Sequence, residues 1–151
     1  MELLLEKESF DSNVWEPAVG AGHLAQVLTA HGYEVTASDI VDRGYPNTYI
    51  FDFLNQDCEP FNGDIVTNPP YKYAVQFVER ALQLVNNGRK VAMFLKLQFL
   101  EGKSRRKLFD FAPQDDLCRK WQVELCTKWR FHTSGQRTGL RMVCVGEGIH
   151  R

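Results

Sequence analysis

A chain of 151 residues with 44% hydrophobic and 25% charged residues has room for one domain with one real core, and little for an accessory module. No apolar run approaches the roughly 20 residues that span a bilayer, which excludes a membrane partner. MELLLEKESF is too short and too acidic for a secretory signal, so the expected location is the cytoplasm. The net charge of -1 hides an asymmetry: residues 1–113 carry 11 Lys and Arg against 15 Asp and Glu, whereas residues 114–151 carry 7 against 4. Cys58, Cys118, Cys126 and Cys144 form no C-x-x-C pair and have no histidine at ligand spacing, so neither a metal site nor a disulfide framework is indicated.

In chain order, residues 2–8 are rich in helix formers and end before the turn-like Asp11-Ser12-Asn13. A short apolar strand follows around Val14, then a glycine turn at Gly20 and Gly22. Leu24, Val27, Leu28 and His31 fall at helical spacing, and Gly32 ends that helix. Tyr33 to Ser38 reads as a strand that ends at Asp39, Thr48 to Phe53 as a third strand and Asp64 to Thr67 as a fourth. Ala74, Val75, Phe77, Val78, Ala81, Leu82 and Val85 form a helical stripe closed by Asn86-Asn87-Gly88, and Lys90 to Leu97 is a nearly continuous apolar strand. Strands that alternate with helices, the inner ones apolar throughout, predict an α/β fold with a parallel sheet covered on both faces.

Ligands of open parallel sheets bind at the carboxyl ends of the strands. Four unusual turns of this chain fall there. Glu16-Pro17-Ala18-Val19-Gly20-Ala21-Gly22 lets backbone approach a ligand at a helix N-terminus; taken alone, it is as readily a mere tight turn. Asp39 can accept both hydroxyls of a ribose, although a lone strand-end Asp is more often only solvated. Asp52-Phe53 pairs an acid with a ring suited to an adenine, though a lone Phe is more often core. In TNPPYKYA, residues 67–74, Pro69 and Pro70 stop the strand and hold a rigid elbow that aims Asn68 and Tyr71; the bland reading is a capped helix entry. The combination is far more specific than any member.

Together these stretches resemble the Rossmann-like, S-adenosylmethionine-dependent methyltransferases that act on amino groups, above all the N-6 adenine-specific DNA methyltransferases of small phage and prophage type. WEPAVGAGHL resembles their cofactor motif, SDI and FDF their ribose and adenine contacts, and TNPPYKYAVQFVERAL their catalytic loop and the helix after it. The resemblance covers residues 1 to about 113. It implies a class I methyltransferase sheet of order 3-2-1-4-5, with S-adenosylmethionine as cofactor and DNA as partner. The cofactor would be held by Glu16, Pro17, Gly20, Gly22, Asp39, Ile40, Asp52 and Phe53, with Glu16 near its methionine end.

The implied chemistry explains the loop. Adenine's 6-amino nitrogen is a poor nucleophile because its lone pair is delocalised into the ring. By resemblance, the Asn68 side-chain oxygen and the Pro69 carbonyl accept its two hydrogens and favour the localised lone pair. Pro70 keeps the elbow rigid, and Tyr71 stacks on a base that has left the duplex. The basic cluster Lys103, Arg105, Arg106 and Lys107 can contact phosphates, or can simply be a solvated helix face.

From Gln114 onward the chain departs from the family, whose members continue with further strands and an aromatic-rich ending. Residues 114–151 show poor strand alternation and are expected to be an atypical tail, either poorly ordered or the product of a reading-frame shift. With suitable synonymous codons, reading one base later from Gln114 yields a string like the missing ending. On that expectation the final strands are lost, the fifth strand is left as an exposed edge, and activity is weak or absent. The same Asn-Pro-Pro-Tyr loop also serves enzymes that methylate RNA adenine or protein glutamine, and a non-catalytic nucleic-acid or cofactor-binding remnant is the alternative of another class.

Overall fold

The computed structural model describes residues 1–6, 8–86, 88–95, 122–126 and 141–145. A short helix α1 (Glu2–Leu5) precedes β1 (Asn13–Glu16), α2 (His23–Ala30), β2 (Glu34–Asp39), β3 (Tyr49–Ile50) and β4 (Asp64–Thr67). A single 3-10 turn over Tyr71–Tyr73 then leads into α3 (Ala74–Leu84), followed by β5 (Lys90–Phe94), β6 (Gln122–Cys126) and β7 (Arg141–Val145). The strands form one sheet of order β3-β2-β1-β4-β5-β7-β6, and neighbouring strands pair in parallel.

Period-two alternation within each central strand distributes the core to both faces. Trp15, Ile65, Val91 and Met93 point to one side, where the apolar stripe of α3 covers them with Phe77, Val78, Ala81 and Leu84. Their neighbours Val14, Val66 and Ala92 point to the other, against Leu4 and Leu28 of the first two helices. Each central strand is therefore apolar on both sides, which is why these strands read as runs rather than as alternation.

At the amino ends of the strands a polar network fixes register. The buried Asp64 carboxylate accepts the N–H groups of Asp11 at 2.7 Å and Lys90 at 2.6 Å, joining the entry to β1 with the starts of β4 and β5. Arg89 pairs with Asp11, and the Lys90 ammonium lies 3.1 Å from Glu8. Burial raises the Asp64 pKa above its usual value, while the Lys90 N–H and ammonium act against that rise.

All five expected strands and both longer helices are present, the fifth as Lys90–Phe94, with the order 3-2-1-4-5 at one end of the sheet. Two expectations need correction. The third strand is confined to Tyr49–Ile50, because Asp52 to Leu54 already belong to a turn held by the Asp52 side chain. The sheet also does not stop at β5: Lys90–Phe94 pairs along its whole length with Arg141–Val145, and β6 lies outside that strand. Short apolar runs such as RMVCV lack alternation because a strand of a parallel sheet need not have a polar face. The remaining residues of the 114–151 tail lie outside the described residues.

Gly22 is the point at which the glycine turn is most constrained. It stands at φ 81, and a Cβ there would meet the Tyr45 ring at 1.8 Å. Gly20, at φ 56, has open space in the same direction. Left-handed backbone alone costs an L residue roughly 1–2 kcal/mol. Gly20→Ala is thus expected to destabilise by about 1 kcal/mol, and Gly22→Ala, which must also displace a packed ring, by about 3 kcal/mol. Thermal melts of the two variants compare them directly; equal losses would mean that the Tyr45 contact carries no weight.

Candidate functional site

Three strand ends and one elbow meet at the carboxyl edge of the sheet. After β1 the chain turns under Glu16–Gly22, and the Val19 N–H donates to the Ser38 carbonyl at 3.0 Å, which ties the turn to the end of β2. Asp39 completes that tie. One of its oxygens accepts the Gly20 N–H at 2.9 Å and the other the Val41 N–H at 3.2 Å, with the Arg43 Nε 4.0 Å away. Each carboxylate oxygen keeps lone-pair capacity for a ligand hydroxyl.

Beneath the edge lies an aromatic nest. The Trp15 indole donates to Ser38 Oγ at 2.9 Å, and its ring centroid lies 5.6 Å from Phe51, 5.2 Å from Phe53 and 5.4 Å from Phe61. Phe53 in turn meets Phe77 of α3 at 5.0 Å. The rings fix the Phe51–Phe53 segment, so Asp52 emerges from a rigid base. Its carboxylate accepts the Leu54 and Asn55 N–H groups and the Asn55 amide, and the Asn55 amide above all holds its pKa below the usual value.

After β4, Pro70 at φ -57 and ψ 124 is extended, so the chain leaves the sheet sharply before the Tyr71–Tyr73 turn. Pro69 is buried, while Asn68, Pro70 and Tyr71 are exposed.

These pieces enclose one cavity of about 510 Å³. Of the residues expected from the sequence, Pro17, Asp39, Ile40, Asp52, Phe53, Asn68, Pro69, Pro70 and Tyr71 line it. Ile40 is 60% exposed and Tyr71 49%, so two large side chains at its walls keep surface open to solvent. Its volume lies within the range of small-molecule sites.

Glu16, Gly20 and Gly22 are not among its walls. Gly22 gives its close approach to Tyr45, which packs beside Val19, Ala25 and Ala37, so this glycine shapes the turn from the side of α2. Glu16 is 2% exposed and accepts the Ala25 N–H in the first turn of α2, taking up a helix donor where Gly22, the capping residue, offers no side chain. Its Oε2 has no hydrogen-bond partner among the described residues. Burial foremost, with Asp39 nearby, raises its pKa from 4.5 to about 9, so it is neutral at pH 7 in the ligand-free protein. Lys103, Arg105, Arg106 and Lys107 lie outside the described residues.

Sequence reading missed Arg43, Phe51, Tyr73 and Phe77 as cavity residues. Arg43 sits in a loop without periodicity, and nothing in its neighbours marks it. Phe77 was legible only as part of the core stripe of α3. Tyr73, one turn ahead of it, carried the available signal: an aromatic residue at the spacing that continues the stripe beyond the helix start.

Among the described residues no helix is long and apolar enough to cross a membrane, and no cluster of His, Cys, Asp and Glu is arranged to hold a metal ion. Comparison with protein-family models, with curated proteins and with solved structures finds no match to this chain.

Proposed function

We propose that this chain transfers a methyl group from S-adenosylmethionine to the 6-amino group of adenine in DNA. The observation that carries the reading is a cavity in which a strand-end Asp39, the Asp52-Phe53 pair and the whole Asn68–Tyr71 elbow meet, although they lie on three different strand ends. Chance placement of separate structural turns gives no reason for those particular residues to share one wall.

The cavity suits an adenosyl group by its own chemistry. It offers a carboxylate for ribose hydroxyls in Asp39, apolar cover in Phe53 and Ile40, and polar edges in Asp52 and Asn55. When bound, S-adenosylmethionine supplies an electrophilic methyl on a sulfonium. The protein's work is then to hold an amino nitrogen in line and shift its electrons. The Asn68 oxygen and the Pro69 carbonyl accept the two amino hydrogens, which favours a tetrahedral nitrogen with its lone pair directed outward. Tyr71, exposed at the mouth, provides a stacking face for the extruded base, a contact worth roughly 1–3 kcal/mol. The proline elbow limits the freedom of both acceptors before substrate arrives. No step calls for a general base, because methylation makes the nitrogen acidic enough to lose its proton to water.

The sheet beyond β5 bears on competence, since the edge expected to be bare is paired. The test is a competition in which DNA, RNA and a glutamine-bearing protein share one reaction with methyl-labelled S-adenosylmethionine. Label is expected in DNA. Label in RNA or protein would assign the same loop to another planar amino group, and binding without transfer would make the chain a non-catalytic remnant.

A further inference from the structure

We propose that Tyr73 is a second aromatic binding residue of the cavity, stacking on the purine of an adenosyl ligand while Tyr71 serves the incoming base; this rests on the function proposed above. Tyr73 lines the cavity and is 41% exposed, so part of its surface is open to a ligand. It stands one turn before Phe77, whose ring packs 5.0 Å from Phe53 at an interplanar angle of 33°. Tyr73 thus shares the cavity with Asp52, Phe53 and Phe77, whose polar edge and rings suit a nucleobase.

Two further features separate its role from that of Tyr71. The residues lie two apart in a 3-10 turn, which advances about 120° per residue, so their side chains diverge and cannot cover the same flat partner side by side. The Lys72 ammonium also sits over the Tyr73 ring, 5.2 Å from its centroid, occupying one face with a cation and leaving the other for a flat ligand. As a plain helix-entry residue, Tyr73 would be expected to pack its ring onto α3 instead of standing at a cavity wall.

Calorimetric titration with S-adenosylhomocysteine and with 5'-methylthioadenosine tests the assignment, because the two ligands share the purine and differ in the amino-acid end. Tyr73→Ala is expected to weaken both by the same factor, ~10-fold, and Tyr73→Phe by less than about twofold, since stacking needs the ring and not the hydroxyl. Tyr73→Leu, which keeps apolar bulk without a flat face, is expected to follow the alanine variant, and equal melting temperatures separate lost binding from lost folding. Unchanged titrations would overturn the assignment, as would an increase in the KM for DNA with cofactor binding intact, which would put Tyr73 on the nucleic acid. If the wild-type protein binds neither ligand, the proposed function falls together with it.

Discussion

Replacing Glu16 by Gln is expected to stabilise the ligand-free protein at pH 7 by ~3 kcal/mol and to leave its stability at pH 4.5 unchanged. The unfolded chain ionises this carboxyl near 4.5, whereas the folded protein holds it protonated up to about 9. Between those values folding takes up a proton. An acid with a raised folded pKa contributes fully below its unfolded pKa, and that contribution is lost as pH rises through the folded one. The slope is ~1.4 kcal/mol per pH unit within the window. Gln has the shape of the neutral acid and no proton to take up, so the variant's stability curve should lack this slope. Urea denaturation at pH 4.5, 7 and 9 measures it; parallel curves for the two proteins would show that Glu16 is ionised in the folded state.

A buried carboxyl with one oxygen on a helix N–H and the other without a partner among the described residues costs stability and fills no space that Gln or Met could not. Its place directly before Pro17, a cavity wall, keeps it next to the site without being part of its surface.

The second large effect is expected at Asn68. On the proposed function, Asn68→Ala removes one of two acceptors for the amino hydrogens and should lower kcat by roughly 10²–10³, the usual loss when one preorganised hydrogen-bonding group is deleted. Asn68 is exposed, so the fold should not suffer, and affinity for S-adenosylhomocysteine should stay within about twofold because the residue acts on the other substrate. Asn68→Asp keeps an acceptor oxygen and is expected to recover part of the rate. A fall in kcat that follows a fall in melting temperature would instead make Asn68 a structural residue of the elbow.

The legible parts of the molecule were those fixed by local chemistry. Proline pairs, positive-φ glycines and strand-end acids are punctuation whose meaning depends on a few neighbours, so Asp39, Asp52-Phe53 and Asn68–Tyr71 could be read from the chain. The stripe of α3 announced itself by period, with Ala74, Phe77, Val78, Ala81 and Leu84 all buried. What sequence could not give was direction. Gly20 and Gly22 look alike in the string, yet one faces open space and the other the Tyr45 ring, which comes from a loop 23 residues downstream of Gly22. Glu16 and Pro17 are neighbours, yet one is buried beneath the turn and the other lines the cavity. The strands β6 and β7 were missed for a different reason: they pair in parallel, so no hairpin turn marks them, the apolar run of β7 shows no alternation, and the alternation of β6 spans only Gln122 to Leu125.

The central claim is that the elbow after β4 directs a methyl group onto an adenine amino nitrogen. Its most direct test is to incubate DNA with the protein and S-adenosylmethionine, digest the DNA to nucleosides and identify the methylated base by mass spectrometry. The account predicts that N-6-methyladenine accumulates with the wild-type protein and falls to near background with Asn68→Ala. Unmodified adenine from a protein that binds the cofactor, or methyl groups on any other base, would contradict it.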